Sequence, residues 1–300
     1  MSNRSPKDIL ADLDKELAGV KWCGPPSDLS HLHDPGHLSL FKQLGNFEEV
    51  ISQWIAERIK GLAQKQGQEE YQICSIGCED ASLDSVILQK LSKALPDKMF
   101  KYTGITADEQ ACEVAEETLE LGNLGSNVQV ELLERDYEEL TNDGLQPFDF
   151  ILMANCTYHA SALDPMLTGA TQLLKPGTGE LVIISSSRQS LYELITRFYS
   201  HQRTYELYTA ETVTATLGKL GIKYKVEHET TTFDLTQQFA EGFTSEEAAL
   251  ILDHLVFTNL QDYAPQVSKL CGELLESVST SNGAKRVVTS VSDMIVVVNN

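Results

Sequence analysis

Five consecutive residues that follow a strongly apolar segment carry side chains able to bind a small amine and remove its proton. They are Asn155, Cys156, Thr157, Tyr158 and His159. The side-chain carbonyl of Asn155 can accept a hydrogen bond from an amine, and the ring of Tyr158 can attract a cation to its face. The imidazole of His159 titrates near neutral pH and can accept the amine proton. The alternative for His159 is a partly exposed histidine that caps a helix.

Further polar residues follow the ends of three other short apolar segments. The first segment ends in the loop Gly77-Cys78-Glu79-Asp80-Ala81-Ser82, the second is followed by Thr106 and Asp108, and the third by Asp136. Gly77 permits a tight turn and a close approach of ligand to backbone. The N–H groups of the helix that follows would then face a bound anion. The alternative is an ordinary turn capped by Asp80 or Ser82. Asp108 and Asp136 can be helix caps as well.

These residues lie between elements that alternate between strand and helix. The segment Phe148–Ala154 is strongly apolar, as in a strand buried on both faces. The alternation predicts a parallel sheet with helices on both faces, and a ligand at the carboxyl ends of its strands. We expect strands at Tyr71–Gly77, Phe100–Thr106, Val128–Leu133, Phe148–Ala154 and Gly179–Ser185, separated by helices at Leu83–Leu95, Asp108–Leu121 and Leu163–Leu174.

The flanking segments add helices and two more strands. Five parallel units followed by a strand, an excursion and a final strand match the class I, Rossmann-like fold of S-adenosylmethionine-dependent methyltransferases. That fold has a seven-stranded, mostly parallel sheet whose last strand inserts antiparallel. We expect a helical lid at residues 1–65, a cofactor-binding α/β core at 66–235, a helical insertion over the substrate site at 236–285 and the final core strand at 286–300. Within these parts we predict helical patterns at Lys7–Ala18, Leu38–Lys65, Ala210–Leu220 and Phe243–Leu275, and strands at Lys223–Leu235 and Arg286–Asn299.

This fold assigns a part of the cofactor, S-adenosylmethionine, to each polar residue at the sheet edge. The loop of Gly77, Cys78, Glu79 and Asp80 would hold the methionine end. Thr106 or Asp108 would meet the ribose hydroxyls, where a carboxylate is usual. Asp136 would accept from the adenine amino group, and Asn155 would be a further cofactor contact.

Composition narrows the choice of partners. The formal net charge is −21, which argues against a DNA or RNA substrate because phosphates are bound by clustered Lys and Arg. No segment approaches the ~20 apolar residues of a membrane helix. The polar N-terminus lacks the pattern of a signal peptide, so we expect a cytoplasmic protein.

The cluster of His31, His33, Asp34 and His37 can be a zinc site or a flexible loop. We favour the loop and predict no metal.

Several stretches resemble the histamine N-methyltransferase family, from about Leu40 to the C-terminus. The resemblance rests on Ile73–Gly77, Asp149–His159, Leu217–Tyr224 and Ser292–Val297, in that order. It implies N-methylation of a small, cationic amine by a monomeric enzyme with helices over the amine. An enzyme for a carboxylate, hydroxyl or thiol, and a protein that binds the cofactor without catalysis, are the alternatives.

The resemblance also implies roles for individual residues. Asn155 stands where the family has an amine-binding glutamine, and Tyr158 and His159 stand at its paired tyrosines. Ungapped alignment puts the family's substrate-binding glutamate at Phe47, and Glu48 and Glu49 are the nearest glutamates; the alternative for these two is a solvated helix face. A C-terminal asparagine of the family corresponds to Ser290. These differences predict an acceptor other than histamine.

Overall fold

The computed structural model describes residues 4–20, 35–107, 109–136, 140, 145–187, 192–202 and 207–299. Within them, strands and helices alternate as the sequence predicts. The strands are β1 Glu70–Ile76, β2 Met99–Thr106, β3 Val128–Glu134, β4 Phe150–Ala154, β5 Glu180–Ser186, β6 Tyr224–Asp234, β7 Thr280–Asn282 and β8 Lys285–Val298. The α-helices are α1 Pro6–Gly19, α2 Pro35–Leu44, α3 Phe47–Gln66, α4 Ser82–Ala94, α5 Glu109–Leu121, α6 Leu163–Gln172, α7 Tyr192–Gln202, α8 Ala210–Lys219, α9 Thr236–Glu241, α10 Glu246–Val256 and α11 Pro265–Val278.

The sheet has the strand order β3-β2-β1-β4-β5-β8-β6. Strands β1 to β5 pair in parallel, and β8 pairs with β5 antiparallel. Strand β6 contacts β8 at two points: the imidazole of His228 bonds the carboxylate of Asp293, and the hydroxyl of Thr231 donates to the carbonyl of Ser290. Residue numbers rise along β6 as they fall along β8, so these two strands are antiparallel as well. This confirms the predicted mostly parallel Rossmann-like sheet with an inserted final strand. The short strand β7 pairs with β8 and adds an eighth strand.

Local sequence explains where several helices begin and end. Ser5 caps α1 by accepting from the backbone N–H of Asp8 at 3.2 Å, and Pro6 occupies the first turn. Ser245 caps α10 in the same way, through the N–H of Ala248. Helix α9 ends at Gly242, whose φ of 66° is the left-handed conformation that glycine adopts without strain.

The sequence prediction was wrong at one helix and incomplete elsewhere. The single helix expected over Leu38–Lys65 is interrupted at Gly45 and Asn46. The backbone N–H of Asn46 donates to the carbonyl of Thr232, and its side chain accepts from the N–H of Thr232 at 2.8 Å. This pairing with β6 takes both residues out of the helix. Helices α7 and α9 and strand β7 were not expected, and the helical stretch at Phe243–Leu275 is two helices, α10 and α11.

The chain divides into two compact units. The first comprises Met1–Phe47, Ser187–Leu207 and Thr230–Val291, and the second Glu48–Ser186, Tyr208–Glu229 and Ser292–Asn300. The second unit contains the parallel strands and a core built from the apolar faces of β1, β4, β5, α6 and α8. The first unit has its own core of α1, α7, α10 and α11. The described helices include none that is long and apolar enough to cross a membrane.

Candidate active site at the carboxyl end of the sheet

The loop after β1 begins at a glycine that no other residue could replace without strain. Gly77 has a φ of 69°, and its N–H donates to the carbonyl of Ile105 on β2 at 2.8 Å. A Cβ atom added at Gly77 would lie 2.5 Å from the Cβ of Cys156. The loop after β1 therefore packs directly on the first residues after β4.

The rest of this loop shapes the start of α4. Glu79 and Ala81 adopt left-handed conformations, with φ of 48° and 52°. One carboxylate oxygen of Asp80 accepts from the backbone N–H of Ser82 at 3.1 Å and from its hydroxyl at 2.7 Å. Asp80 thus bonds the first residue of α4, whereas the N-cap position belongs to Ala81. Ala81 at the N-cap position has no side-chain oxygen, so it leaves the N–H groups of the first turn to other partners.

A buried carboxyl group lies beneath this loop and was missed by the sequence reasoning. Asp84, in the first turn of α4, is 6% exposed. Burial raises the pKa of Asp84 to about 6, and the polar side chains of Ser75 and Tyr102 offset part of that effect. In the sequence Asp84 sits within an apolar helical pattern, and that pattern gives no sign that its carboxyl group is buried.

The ends of β2 and β3 bring two predicted cofactor residues to the same edge. The hydroxyl of Thr106 is buried and has no hydrogen-bond partner in the described part of the chain. Its carbonyl accepts from the N–H of Arg135 at 2.9 Å, which places Asp136 one residue beyond this contact. Asp136 is exposed. Asp108 lies outside the described residues.

The segment after β4 holds its side chains in a defined network. Asn155 has a φ of 54°, and its N–H donates to the carbonyl of Ile184 on β5 at 3.0 Å. The hydroxyl of Tyr158 donates to Oδ1 of Asn155 at 3.2 Å and accepts from the backbone N–H of Ser186 at 2.9 Å. Tyr158 and the backbone of His159 form a 3₁₀ turn, whereas the side chain of His159 lies outside the described part.

The thiol of Cys156, next to Asn155, is unsuited to act as a nucleophile. Cys156 is buried, and burial raises its pKa to about 12. Because the thiolate is the nucleophilic form of cysteine, the protonated thiol of Cys156 serves here as a packing group against Gly77.

The remaining predicted residues lie in several parts of the chain. Phe47 and Glu48 are the first two residues of α3, and both are half-buried. Ser290 lies on β8, where its carbonyl accepts from the hydroxyl of Thr231 at 3.4 Å. Phe47 and Ser290 belong to the first unit, and Asn155 and Tyr158 to the second. In the histidine cluster, His31, His33, Asp34 and the side chain of His37 are outside the described residues.

The groups at this edge fit an adenosyl cofactor with a methionine end. The first turn of α4 offers backbone donors for a carboxylate. Thr106 offers a buried hydroxyl that still needs a hydrogen-bond partner, and a ribose hydroxyl would supply one. The network of Asn155 and Tyr158 lies after β4, next to the loop of Gly77.

Several known proteins are similar to this chain in sequence or in fold. A family model described as "Methyltransferase domain" matches residues 74–179. Bovine (Bos taurus) histamine N-methyltransferase is 26% identical over 229 residues, which cover 72% of this chain and 77% of that protein. Among solved structures, the plantazolicin methyltransferase BamL in complex with a triazolic desmethylPZN analog and SAH has a TM-score of 0.50 and 16% identity, and covers 97% of this chain and all 100% of BamL. The related BpumL, in complex with SAH, has a TM-score of 0.49 and 13% identity, with 98% of this chain and 99% of that chain covered.

The similarity to BamL concerns the fold, and the family match concerns the segment from β1 to the start of β5. That segment supplies the loop of Gly77, the buried Thr106 and the network of Asn155 and Tyr158. Residues 74–179 therefore match a methyltransferase domain, the fold is the class I, Rossmann-like one, and the cofactor is S-adenosylmethionine.

Proposed function

We propose that this protein transfers a methyl group from S-adenosylmethionine to the nitrogen of a small-molecule amine. The observation that carries the proposal is the close packing of Gly77 on Cys156. It joins the loop expected to hold the methionine end of the cofactor to the segment that contains Asn155 and Tyr158. A methyl donor in the first would face an acceptor molecule held by the second.

The cofactor supplies an electrophilic methyl group: the amine lone pair forms the new C–N bond while the C–S bond breaks with its electrons going to sulfur, and the product ammonium releases a proton. The residues of this chain have to align the amine and keep its lone pair free. Alignment of two bound reactants can lower the barrier by about 7–11 kcal/mol. No strong acid or metal is needed for such a step.

The residues at the end of β4 fit these two tasks. Asn155 is fixed at its backbone by Ile184 and at its side chain by Tyr158, so its amide is a rigid contact for the acceptor. We assign the proton-accepting role to His159, because a neutral imidazole can accept a proton. Substrate contacts from Phe47, Glu48 and Ser290 are part of the same proposal.

The remaining cofactor contacts follow from the sheet edge. The loop of Gly77, Cys78, Glu79 and Asp80 would hold the methionine end, with its carboxylate at the start of α4. Thr106 would bind a ribose hydroxyl, and Asp136 the adenine amino group. Asp108 stays a predicted ribose contact.

The bovine relative supports an amine as acceptor, because its name states N-methylation of histamine. In that relative's family, as noted above, a glutamine occupies the position of Asn155 and tyrosines those of Tyr158 and His159. The shorter amide and the imidazole of this chain support a different amine. A monomeric, cytoplasmic enzyme stays a prediction from the resemblance and the sequence.

Transfer of labelled methyl groups tests the proposal directly. The purified protein, incubated with radiolabelled S-adenosylmethionine and a panel of biogenic amines and amino acids, should label at least one amine, and mass spectrometry should place the methyl on nitrogen. Tyr158→Phe should lower the rate at least about 10-fold, since it removes the bond that fixes Asn155. The matched variant Tyr224→Phe, at an exposed tyrosine on β6, should keep the wild-type rate. Tight SAH binding without labelling of any amine would contradict amine methylation.

A further inference from the structure

The hydroxyl of Tyr158 determines which way the amide of Asn155 faces. Its oxygen accepts from the backbone N–H of Ser186, the last residue of β5, at 2.9 Å. A phenol has one proton, and here it is donated to Oδ1 of Asn155 at 3.2 Å. The carbonyl branch of the amide therefore faces Tyr158, and the NH₂ branch faces away from it.

The backbone of Asn155 leaves little freedom to reverse this orientation. The left-handed φ of 54° and the hydrogen bond to Ile184 fix the Cα–Cβ direction from one side. Tyr158 holds the carbonyl from the other. Asn155 is half-buried, and its two N–H donors have no protein acceptor in the part of the chain that the structure describes.

Two further hydroxyls adjoin the anchors of this network. Thr157 directly precedes Tyr158, and Ser185 directly precedes Ser186. Both side chains are fully buried, and neither has a hydrogen-bond partner among the described residues. Buried donors are nearly always paired in native proteins. A hydroxyl can donate or accept, so the choice of ligand depends on Asn155, whose NH₂ group can only donate and would not pair with an ammonium group.

We propose that the methyl acceptor carries a carboxylate beside its amine, as an α-amino acid does, and that the NH₂ group of Asn155 binds this carboxylate. Tyr158 is a positioning residue, because it acts through the amide it orients. A carboxylate has about four sites that accept hydrogen bonds and no proton to donate, so it suits the NH₂ group of Asn155. The inference rests on the proposed function and specifies its substrate class.

Pairs of compounds that differ only in the carboxylate give the sharpest test. Suitable pairs are L-histidine and histamine, L-tyrosine and tyramine, and L-phenylalanine and phenethylamine. For the wild-type protein, kcat/KM for the better amino acid should exceed that for its decarboxylated partner about 10- to 100-fold, the range of one hydrogen bond to a charged group. Preference for the decarboxylated amine in every pair would overturn the carboxylate contact and leave amine methylation standing.

Three variants separate recognition by Asn155 from a structural role. Asn155→Gly keeps the left-handed backbone and removes the donors, and Asn155→Asp keeps the shape and replaces the donors with a charge that repels a carboxylate. Both should reduce the preference ratio to about one or below. Tyr158→Phe should raise KM for the amino acid more than for the amine. A wild-type ratio in Asn155→Gly would assign Asn155 to the turn alone and overturn the inference.

Binding measurements keep the two proposals distinguishable. Calorimetry of each pair with the SAH complex needs no turnover and should show the same preference, lost in Asn155→Asp. Each variant is compared with the wild-type protein at saturating SAH. Binding of the amino acid through Asn155 without methyl transfer would refute the proposed function and support the carboxylate contact. Equal affinity for the two members of every pair would refute the contact.

Discussion

Asp84 allows a quantitative prediction, because replacing it with asparagine should stabilise the protein in a pH-dependent way. The folded carboxyl has a pKa of about 6 against the ordinary 3.8. A difference of about 2 pKa units corresponds to about 3 kcal/mol, since each unit is 1.36 kcal/mol. Asparagine has nearly the same shape and cannot ionise, so Asp84→Asn removes this cost.

The pH range follows from the two pKa values. Below pH 3.8 the carboxyl is protonated in both the folded and the unfolded chain and costs nothing. Between pH 3.8 and about 6 the unfolded chain releases the proton while the folded chain keeps it, so the stability of the natural protein falls. Above about pH 6 both are ionised and the penalty is constant at up to about 3 kcal/mol.

Urea unfolding of both proteins between pH 4 and 8 measures this difference. The gain in the free energy of unfolding should grow from near zero at pH 4 to a plateau above about pH 6.5. The other charges of the chain act on both proteins alike, so the difference isolates Asp84. Asp97→Asn, at an exposed carboxylate, is the matched control and should give no such profile. A difference that stays constant across this range would refute the reasoning.

Three further substitutions test other parts of the account. Gly77→Ala should cost more than about 2 kcal/mol in urea unfolding, because it adds a backbone penalty and a steric overlap, whereas Gly67→Ala, with a similar φ of 65° and open space, should cost only about 1–2 kcal/mol. Lys175→Met should lower the free energy of unfolding by about 3 kcal/mol, because the ammonium of Lys175 lies 2.8 Å from the fully buried carboxylate of Asp149 and the substitution removes that cation. Thr106→Val should leave stability unchanged or raise it by up to about 1 kcal/mol, since the hydroxyl has no partner to lose among the described residues, and should weaken SAH binding about 10-fold in calorimetry. Unchanged SAH affinity would remove Thr106 from the site.

The sheet was predictable because its signals are local. Apolar runs of strand length, such as Phe150–Ala154, alternate with helical patterns of ordinary length, and this alternation alone indicates a parallel sheet. The final strand β8 was recognisable from its valines. Its insertion beside β5 follows from the fold plan, which the order of elements suggested.

Features that depend on long-range pairing were not predictable in the same way. The break at Gly45 and Asn46 exists because Thr232, far along the chain, pairs with that backbone. The helical pattern on either side gives no sign of it. Asn155 illustrates the same limit. The sequence predicts that its side-chain carbonyl accepts from the amine, whereas in the structure that carbonyl already accepts from the hydroxyl of Tyr158, which itself accepts from the N–H of Ser186.

Asp84 shows how burial conceals chemistry in a sequence. Its spacing from neighbouring apolar residues is that of an amphipathic helix, where an aspartate is ordinarily solvated. The tertiary fold instead places the carboxyl beneath the loop after β1, against Ser75 and Tyr102. A titrating group directly under the expected cofactor loop emerges only from that packing.

A crystal structure of the protein with SAH would test the central claim most directly. We predict the nucleoside across the carboxyl ends of β1, β2 and β3, its ribose within hydrogen-bond distance of Thr106, its carboxylate at the start of α4 and its sulfur facing Asn155. SAH bound elsewhere, or a sheet edge closed by side chains with no room for a nucleoside, would contradict the account.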